Sequence, residues 1–258
     1  MKVLGIETST FALGIGVIQL TVNGQQSTAN TKVNFDFYTN SGVPESESII
    51  EIIKKQLPNP EEIDGIGVSI GPGSFTGLRI GLATAKGLGI GLKRPVVGVP
   101  TLDAFPIGVP QWGGRGNCPY KITPILDARN ENVYTASYEP DGKRITPYIA
   151  VDIEEFLENL KDKHIFVGNG VKLCRDLIQK KLGKRAHFIS PNPDSPRGVW
   201  IASLALEYLM KLVGQGFSFA TPFEYLMSEG EGAINSLEPI YLSQNIKYQK
   251  SNIKIQNN

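Results

Sequence analysis

The chain has 258 residues, enough for one large domain or for two domains of roughly 100 to 130 residues, each with its own core. Lys plus Arg number 26 against 25 Asp plus Glu, which excludes the strong positive field of proteins that bind nucleic acid unaided. No apolar run approaches the ~20 residues of a membrane span and the opening residues lack a signal-peptide pattern, so we expect a cytoplasmic protein without membrane contact.

Short apolar runs and turn residues divide the first hundred residues into three strands followed by alternating helices and strands. Ile49, Ile53 and Leu57 recur at helical spacing between Pro44 and Pro58, which predicts the first helix. In chain order, the predicted elements are strands 2–7, 13–20 and 33–38, helix 45–57, strand 66–70, helix 78–92 and strand 95–99.

The second half of the chain predicts the same order of elements again. Its predicted elements are strands 122–126, 133–138 and 143–149, helix 153–160, strand 164–167, helix 171–182 and strand 187–190. Trp200, Leu204, Tyr208 and Leu212 then lie four residues apart, which predicts a closing helix over 197–213.

A duplicated βββαβαβ unit is typical of α/β proteins with two actin-like (ASKHA, or ribonuclease H-like) lobes. We therefore expect a first lobe over 1–103 and a second over 104–196, with the closing helix packed on the first. Residues 106–119 are rich in Pro and Gly, which predicts an irregular connector inside the second lobe's opening stretch, 104–119. The extension 214–258 is expected to be partly disordered because its last residues are mostly polar.

Acidic residues end the first predicted strand of each half, where actin-like lobes face their shared cleft. These residues are Glu7 and Asp127, and Arg129 follows the second of them. They either line a weak or vestigial nucleotide site or serve as turn residues and a structural ion pair.

The segment Gly71-Pro72-Gly73-Ser74 lies between a buried strand and a helix, a position where backbone N–H groups can bind an anion. It lacks the Lys of a Walker loop, and its glycines do not fit the dinucleotide spacing. Gly71, Gly73 and Ser74 are therefore candidates for a phosphate-facing loop, and the alternative is a tight strand-to-helix turn.

The helix that follows contains an unusual stripe of small residues at spacing four, formed by Gly77, Gly81, Ala85 and Gly89. Each interior glycine costs a helix roughly 1 kcal/mol relative to Ala, and close approach of another backbone is a ready compensation. The stripe can pack on the chain's own sheet or against a partner, and residue chemistry alone favours neither.

Metal and nucleophile chemistry find little support in the sequence. His164 and His187 are the only histidines, and they are not arranged as a His-x-x-x-His pair. Cys118 and Cys174 lack the spacing of a zinc site. We therefore predict no metal site and no catalytic residue.

The strand and helix over 66–88 closely resemble the TsaB (YeaZ) family of tRNA threonylcarbamoyladenosine biosynthesis proteins. Further matches lie at 4–10, 97–102, 127–134 and 239–242, so the resemblance runs almost from end to end. It implies two actin-like lobes and a dimer with the catalytic paralogue TsaD, formed by first-lobe helices. On that basis the expected interface residues are Gly77, Arg79, Gly81, Ala85, Gly89, Ile49 and Ile53.

The resemblance implies a non-catalytic subunit that scaffolds and activates a TsaD-like enzyme, which, with a TsaE-like ATPase, modifies the adenosine beside the anticodon. Contact with tRNA is expected only through that complex, and the chain alone can form a homodimer. No cofactor is required, although weak or vestigial ATP or ADP binding fits the fold. The alternative hypothesis is an active ATPase or small-molecule kinase of the same fold.

Overall fold

The computed structural model of the protein describes residues 1–22, 29–39, 46–109, 119–190 and 192–214. These residues fall into two compact units, one formed by residues 1–108 and 195–214, the other by residues within 109–194. No helix in these ranges is long and apolar enough to span a membrane. Most of the predicted connector and nearly all of the predicted extension lie outside the described residues.

The first unit contains a five-stranded sheet in the order β3-β2-β1-β4-β5. The first three strands form an antiparallel meander, and β4 and β5 then run parallel to β1. Its elements are β1 Lys2–Glu7, β2 Leu13–Val22, β3 Ala29–Thr39, α1 Ser46–Gln56, β4 Gly65–Ser69, α2 Phe75–Leu92, β5 Val96–Val99, α3 Thr101–Ala104 and α6 Gly198–Gly214.

The second unit contains a second five-stranded sheet, in the order β10-β9-β6-β7-β8. Here too an antiparallel meander precedes two parallel strands. Its elements are β6 Lys121–Asp127, β7 Asn132–Thr135, β8 Ile149–Asp152, α4 Ile153–Glu158, β9 His164–Val167, α5 Val171–Leu182 and β10 Ala186–Phe188. Taken from its other edge, this order is β8-β7-β6-β9-β10, so the third, second, first, fourth and fifth strands of each unit lie side by side in the same way. This repetition confirms the predicted duplicated α/β fold.

The two faces of the first sheet are covered in different ways. On one face the apolar side chains of α1 and α2 pack over β1, β2 and β4, with Ile49, Leu82 and Ala85 in the core. On the other face α6 lies almost directly on the strand backbones. Gly16, Gly5 and Gly67 are paired in register across β2, β1 and β4, and an added Cβ on Gly5 would stand 2.0 Å from the Gly198 carbonyl oxygen. These three residues, the glycine row, let the helix approach this closely.

Several predicted boundaries need correction; for example, β3 begins at Ala29 rather than at residue 33, and β7 ends at Thr135 rather than at residue 138. The strand predicted over 143–149 is instead Ile149–Asp152, which pairs with β7; Pro147 has no N–H to donate, and the following apolar residues take the place in the sheet. The second helix begins at Phe75 rather than at residue 78. Residues Phe105–Gly108 form a 3₁₀ turn that belongs to the first unit, so the connector begins later than predicted.

Candidate functional site

The segment from Gly71 to Ser74 turns the chain from β4 into α2. The Ser74 hydroxyl accepts a hydrogen bond from the Gly77 N–H at 3.3 Å and caps the helix, which contributes about 1 kcal/mol. Gly71 has φ of 101°, a value that favours glycine. The local sequence therefore folds as a capped strand-to-helix turn.

The turn after β1 lies against the same segment. The Ser74 N–H, just before the helix, donates to the Ser9 carbonyl oxygen at 2.6 Å. An added Cβ on Gly73 would stand 2.1 Å from that oxygen, so the turn after β1 fills the space above the loop. Of the two interpretations of the segment, the geometry supports the tight turn.

Glu7 ends β1 and is fully buried. Its Oε1 accepts hydrogen bonds from the Ser9 N–H at 2.6 Å and from the Ser9 hydroxyl, whereas Oε2 has no partner among the described residues. Burial raises the pKa of this carboxyl from 4.5 to about 7, although the hydrogen bonds from Ser9 oppose that rise. Near neutral pH, Glu7 therefore exists as a mixture of its charged and neutral forms.

The stripe of small residues on α2 faces the interior of the first unit. Gly77, Gly81, Ala85 and Gly89 are all buried. An added Cβ on Gly81 would stand 2.1 Å from the Thr8 hydroxyl oxygen, and one on Gly89 would stand 2.4 Å from the Val96 side chain. The stripe thus packs against the chain's own strands, which corrects the expectation that it is a partner-contact surface.

Two other predicted interface residues are also internal. Ile49 and Ile53 are 0% and 3% exposed and lie in the core beneath α1. Of the expected interface residues only Arg79 is exposed, and its guanidinium lies 3.9 Å from the centre of the Phe75 ring. Of the predicted set, only the Arg79 side chain is therefore open to contact with another protein.

The opposite side of α2 carries a second row of small residues at spacing four, Ala83, Gly87 and Gly91, and all three are exposed. An added Cβ on Gly87 or Gly91 would meet no atom within 4 Å. We call these three residues the outer row. The five glycines of the helix belong to two faces, and the sequence spacing could have revealed the outer row as well as the inner stripe.

A groove of about 670 Å³ runs along Ala83 and Gly87 of the outer row, between α2 and α1. It is lined by Ile50, Glu51 and Lys54 of α1 and by Ala83, Thr84, Gly87 and Leu88 of α2. Its floor is apolar or small, and its rim carries one charge of each sign. This shape suits a helix of another protein that approaches closely.

The other cleft candidates, Asp127 and Arg129, lie in the second unit, whereas Glu7 lies in the first. Asp127 is exposed, and its Oδ1 accepts the Arg129 N–H at 2.7 Å within the turn after β6. This hydrogen bond is the turn chemistry that the sequence allowed as one interpretation. A role of either side chain toward nucleotide stays a prediction.

The described histidine and cysteine side chains of the second unit pack against neighbouring residues of the same unit. His164 is buried, its Nδ1 lies 2.8 Å from the Thr123 hydroxyl, and burial lowers its pKa to about 4. His187 packs against Tyr120, and Cys174 is half-buried. No group of three or more His, Cys, Asp or Glu side chains within the described ranges could hold a metal ion.

The chain is similar to a known protein family and to several of its members. The family model described as "TsaD: tRNA N6-adenosine threonylcarbamoyltransferase" matches residues 46–230. The tRNA threonylcarbamoyladenosine biosynthesis protein TsaB of Bacillus subtilis is 29% identical over 80% of this chain and 88% of its own length. TsaB of Escherichia coli is 26% identical over 97% and 98%, respectively.

A third relative, TsaB of Buchnera aphidicola subsp. Baizongia pistaciae, is 32% identical over 60% of this chain and 70% of its own length. The solved structure of YeaZ from Pseudomonas aeruginosa has a TM-score of 0.60 at 19% identity, covering 93% of this chain and all of that one. At that identity the likeness establishes a shared fold.

Proposed function

We propose, from the premise that this chain belongs to the TsaB (YeaZ) family within the wider TsaD family, that it is an accessory subunit of tRNA threonylcarbamoyladenosine biosynthesis. In this proposal it acts in the cytoplasm and has no catalytic residue of its own. It scaffolds and activates a TsaD-like enzyme, a TsaE-like ATPase joins them, and tRNA is contacted through the complex. The modified base is the adenosine at position 37 of tRNAs that read codons beginning with A.

The observation that carries this proposal is the groove between α1 and α2. Glycines at exposed helix positions cost stability, yet Gly87 and Gly91 have open space around them and no internal packing role. Close approach of a partner helix would account for them. Paired with the matching face of a TsaD-like protein, α1 and α2 would form a four-helix contact with crossing angles near +20°. In isolation the same face can pair with a second copy.

Gly87→Arg tests this interface. The side chain would enter open space and Arg favours a helix over Gly, so we expect an unchanged or slightly raised melting temperature, while affinity for the TsaD-like protein of the same cells falls at least about tenfold. Analytical ultracentrifugation of each variant with and without that partner measures both the heterodimer and any homodimer. Gln179→Arg, an equal charge change on an exposed helix position of the second unit, should bind as the unaltered protein does.

If Gly87→Arg binds the TsaD-like protein as tightly as the unaltered chain does, the groove is not part of the interface. A cellular readout accompanies the binding test, because loss of the heterodimer should lower threonylcarbamoyladenosine in tRNA, as nucleoside mass spectrometry measures. Unchanged modification in cells that carry only the Gly87→Arg protein would count equally against the proposal.

The alternative, an active ATPase or small-molecule kinase of the same fold, is less well supported. The Ser74 N–H is already bonded to Ser9, and the segment 71–79 contains no Lys to hold a phosphate. We expect the purified chain alone to show no appreciable ATP hydrolysis in a coupled phosphate-release assay. Turnover of about 1 to 10³ per second, as in ordinary enzymes, would favour the alternative instead.

A further inference from the structure

A separate cavity of about 580 Å³ lies in the second unit. It is formed by the turn between β6 and β7 and by the first residues of α4 and α5. Its lining residues are Asp127, Arg129, Asn130, Glu131, Asn132, Val133, Asp152, Ile153, Glu154, Gly170, Leu173, Cys174 and Leu177. The proposed function assigns this cavity no role.

The rim of the cavity is acidic. Asp127, Glu131, Asp152 and Glu154 contribute four carboxylates against the single guanidinium of Arg129. Asp127 and Asp152 accept backbone hydrogen bonds, whereas the Glu131 and Glu154 side chains are exposed and accept none from the described residues. The cavity therefore attracts a cation.

The nearby basic side chains do not neutralise this rim. Lys181 pairs with Glu158 at 3.0 Å, and this hydrogen bond is the main cause of its raised pKa; the carboxylates of Glu154 and Asp152 raise that pKa further. The field also reaches the thiol inside the cavity. Burial raises the pKa of Cys174, and the Asp127 and Asp152 carboxylates raise it further. Two independent side chains thus experience an excess of negative charge here.

The floor of the cavity is apolar. Val133 and Ile153 are buried beneath it, Leu177 is partly buried, and Leu173 is 72% exposed. A fully solvated ion would leave this surface uncovered, so a fitting occupant carries apolar side chains beside its positive charges. An acidic rim over an apolar floor suits a peptide in which Lys and Ile alternate or neighbour one another.

Residues 243–258 of this chain have that composition. They contain Lys247, Lys250 and Lys254 together with Ile246, Ile253 and Ile255, and no Asp or Glu. Residues 215–242 separate them from the end of α6, and a chain of that length spans at most roughly 90 Å. Attachment to the same chain gives an effective concentration of about millimolar.

We propose that residues 243–258 bind in this cavity of the second unit, with their lysines on the carboxylate rim and their isoleucines on the apolar floor. The chain then covers the exposed Leu173 and the Cys174 thiol with its own basic segment. The mechanism is charge complementarity combined with burial of apolar surface.

Cys174 supplies a direct probe of occupancy. In a Cys118→Ser background it is the only thiol, and its rate of reaction with a maleimide reports access to the cavity. Four proteins are compared: the full chain, a chain ending at Leu242, a Lys247→Glu/Lys250→Glu/Lys254→Glu variant, and its charge-preserving control with Arg at the same three positions. The full-length Glu variant keeps the test valid if the shortened chain folds poorly.

We expect the shortened chain and the Glu variant to react about tenfold faster than the full chain, a difference of about 1.4 kcal/mol in occupancy. The Arg control should stay slow, 1 M NaCl should speed the full chain by screening, and a synthetic peptide of residues 243–258 should slow the shortened chain again. Equal rates in all four proteins would overturn the proposal. Protection by added spermidine but not by the peptide would also overturn it, since the cavity would then take a diffusible cation.

Discussion

Gly5→Ala should destabilise the first unit by about 3 kcal/mol or more, because the added methyl group has no space. Its Cβ would stand 2.0 Å from the Gly198 carbonyl oxygen and 2.5 Å from the Ala202 amide nitrogen. Both atoms belong to the backbone of α6, so no side-chain rotation relieves the clash. The helix has to move off the sheet, and the apolar contacts around Ala202 and Ala205 are lost with it.

Gly87→Ala is the matched control for this prediction. It makes the same chemical change at an exposed helix position with open space around it, and there Ala should stabilise by about 0.5 to 1 kcal/mol. Urea denaturation followed by circular dichroism gives both free energies of unfolding. Similar midpoints for the two variants would show that α6 does not rest on the backbone of β1.

Glu7→Gln should raise the free energy of unfolding by about 3 kcal/mol at pH 8.5 and change it little at pH 4.5. The pKa of Glu7 is about 7 in the folded protein and 4.5 as the reference for the unfolded chain, and that difference corresponds to about 3 kcal/mol. Because the folded pKa is the higher one, the favourable contribution is present below pH 4.5 and is lost as pH rises through about 7. A Gln side chain has no charge to desolvate, so the variant escapes this loss.

The measurement is urea denaturation of both proteins at pH 4.5, 6 and 8.5. His164 and the other groups titrate alike in both proteins, so the difference between the two curves isolates Glu7. A constant difference between Glu7→Gln and the unaltered protein across this range would mean that the buried carboxyl keeps an ordinary pKa.

Much of the fold could be predicted from the sequence, since each lobe repeats one order of short apolar runs separated by turn residues. Both predicted meanders and the parallel strands after them are present. The strand predicted over 143–149 was wrong because apolar content alone does not show which residues can donate a backbone hydrogen bond to a neighbouring strand. Pro147 has no N–H and cannot donate one. Strand pairing is a property of the neighbouring strand as much as of the segment itself.

The candidate site was harder to predict. The sequence identified α2 as unusual, but two rows of small residues share that helix, and spacing does not say which row faces the sheet. Gly81 meets Thr8, whose position depends on the turn after β1, far from α2 in the chain. The sequence singled out Asp127 and Arg129 but not the cavity that they line, because its other carboxylates come from the following turn, β8 and α4.

The glycine row has a consequence for biosynthesis of the chain. α6 begins at Gly198, after the entire second unit has been translated, so one face of the first sheet has no helical cover until then. At bacterial or eukaryotic elongation rates the wait is on the order of ten seconds. During it, Val3, Ile18 and Val97, which α6 later covers, face the ribosome surface, chaperones or other nascent chains. The first unit therefore leaves the ribosome first but is completed only when α6 has been made and has packed on its sheet.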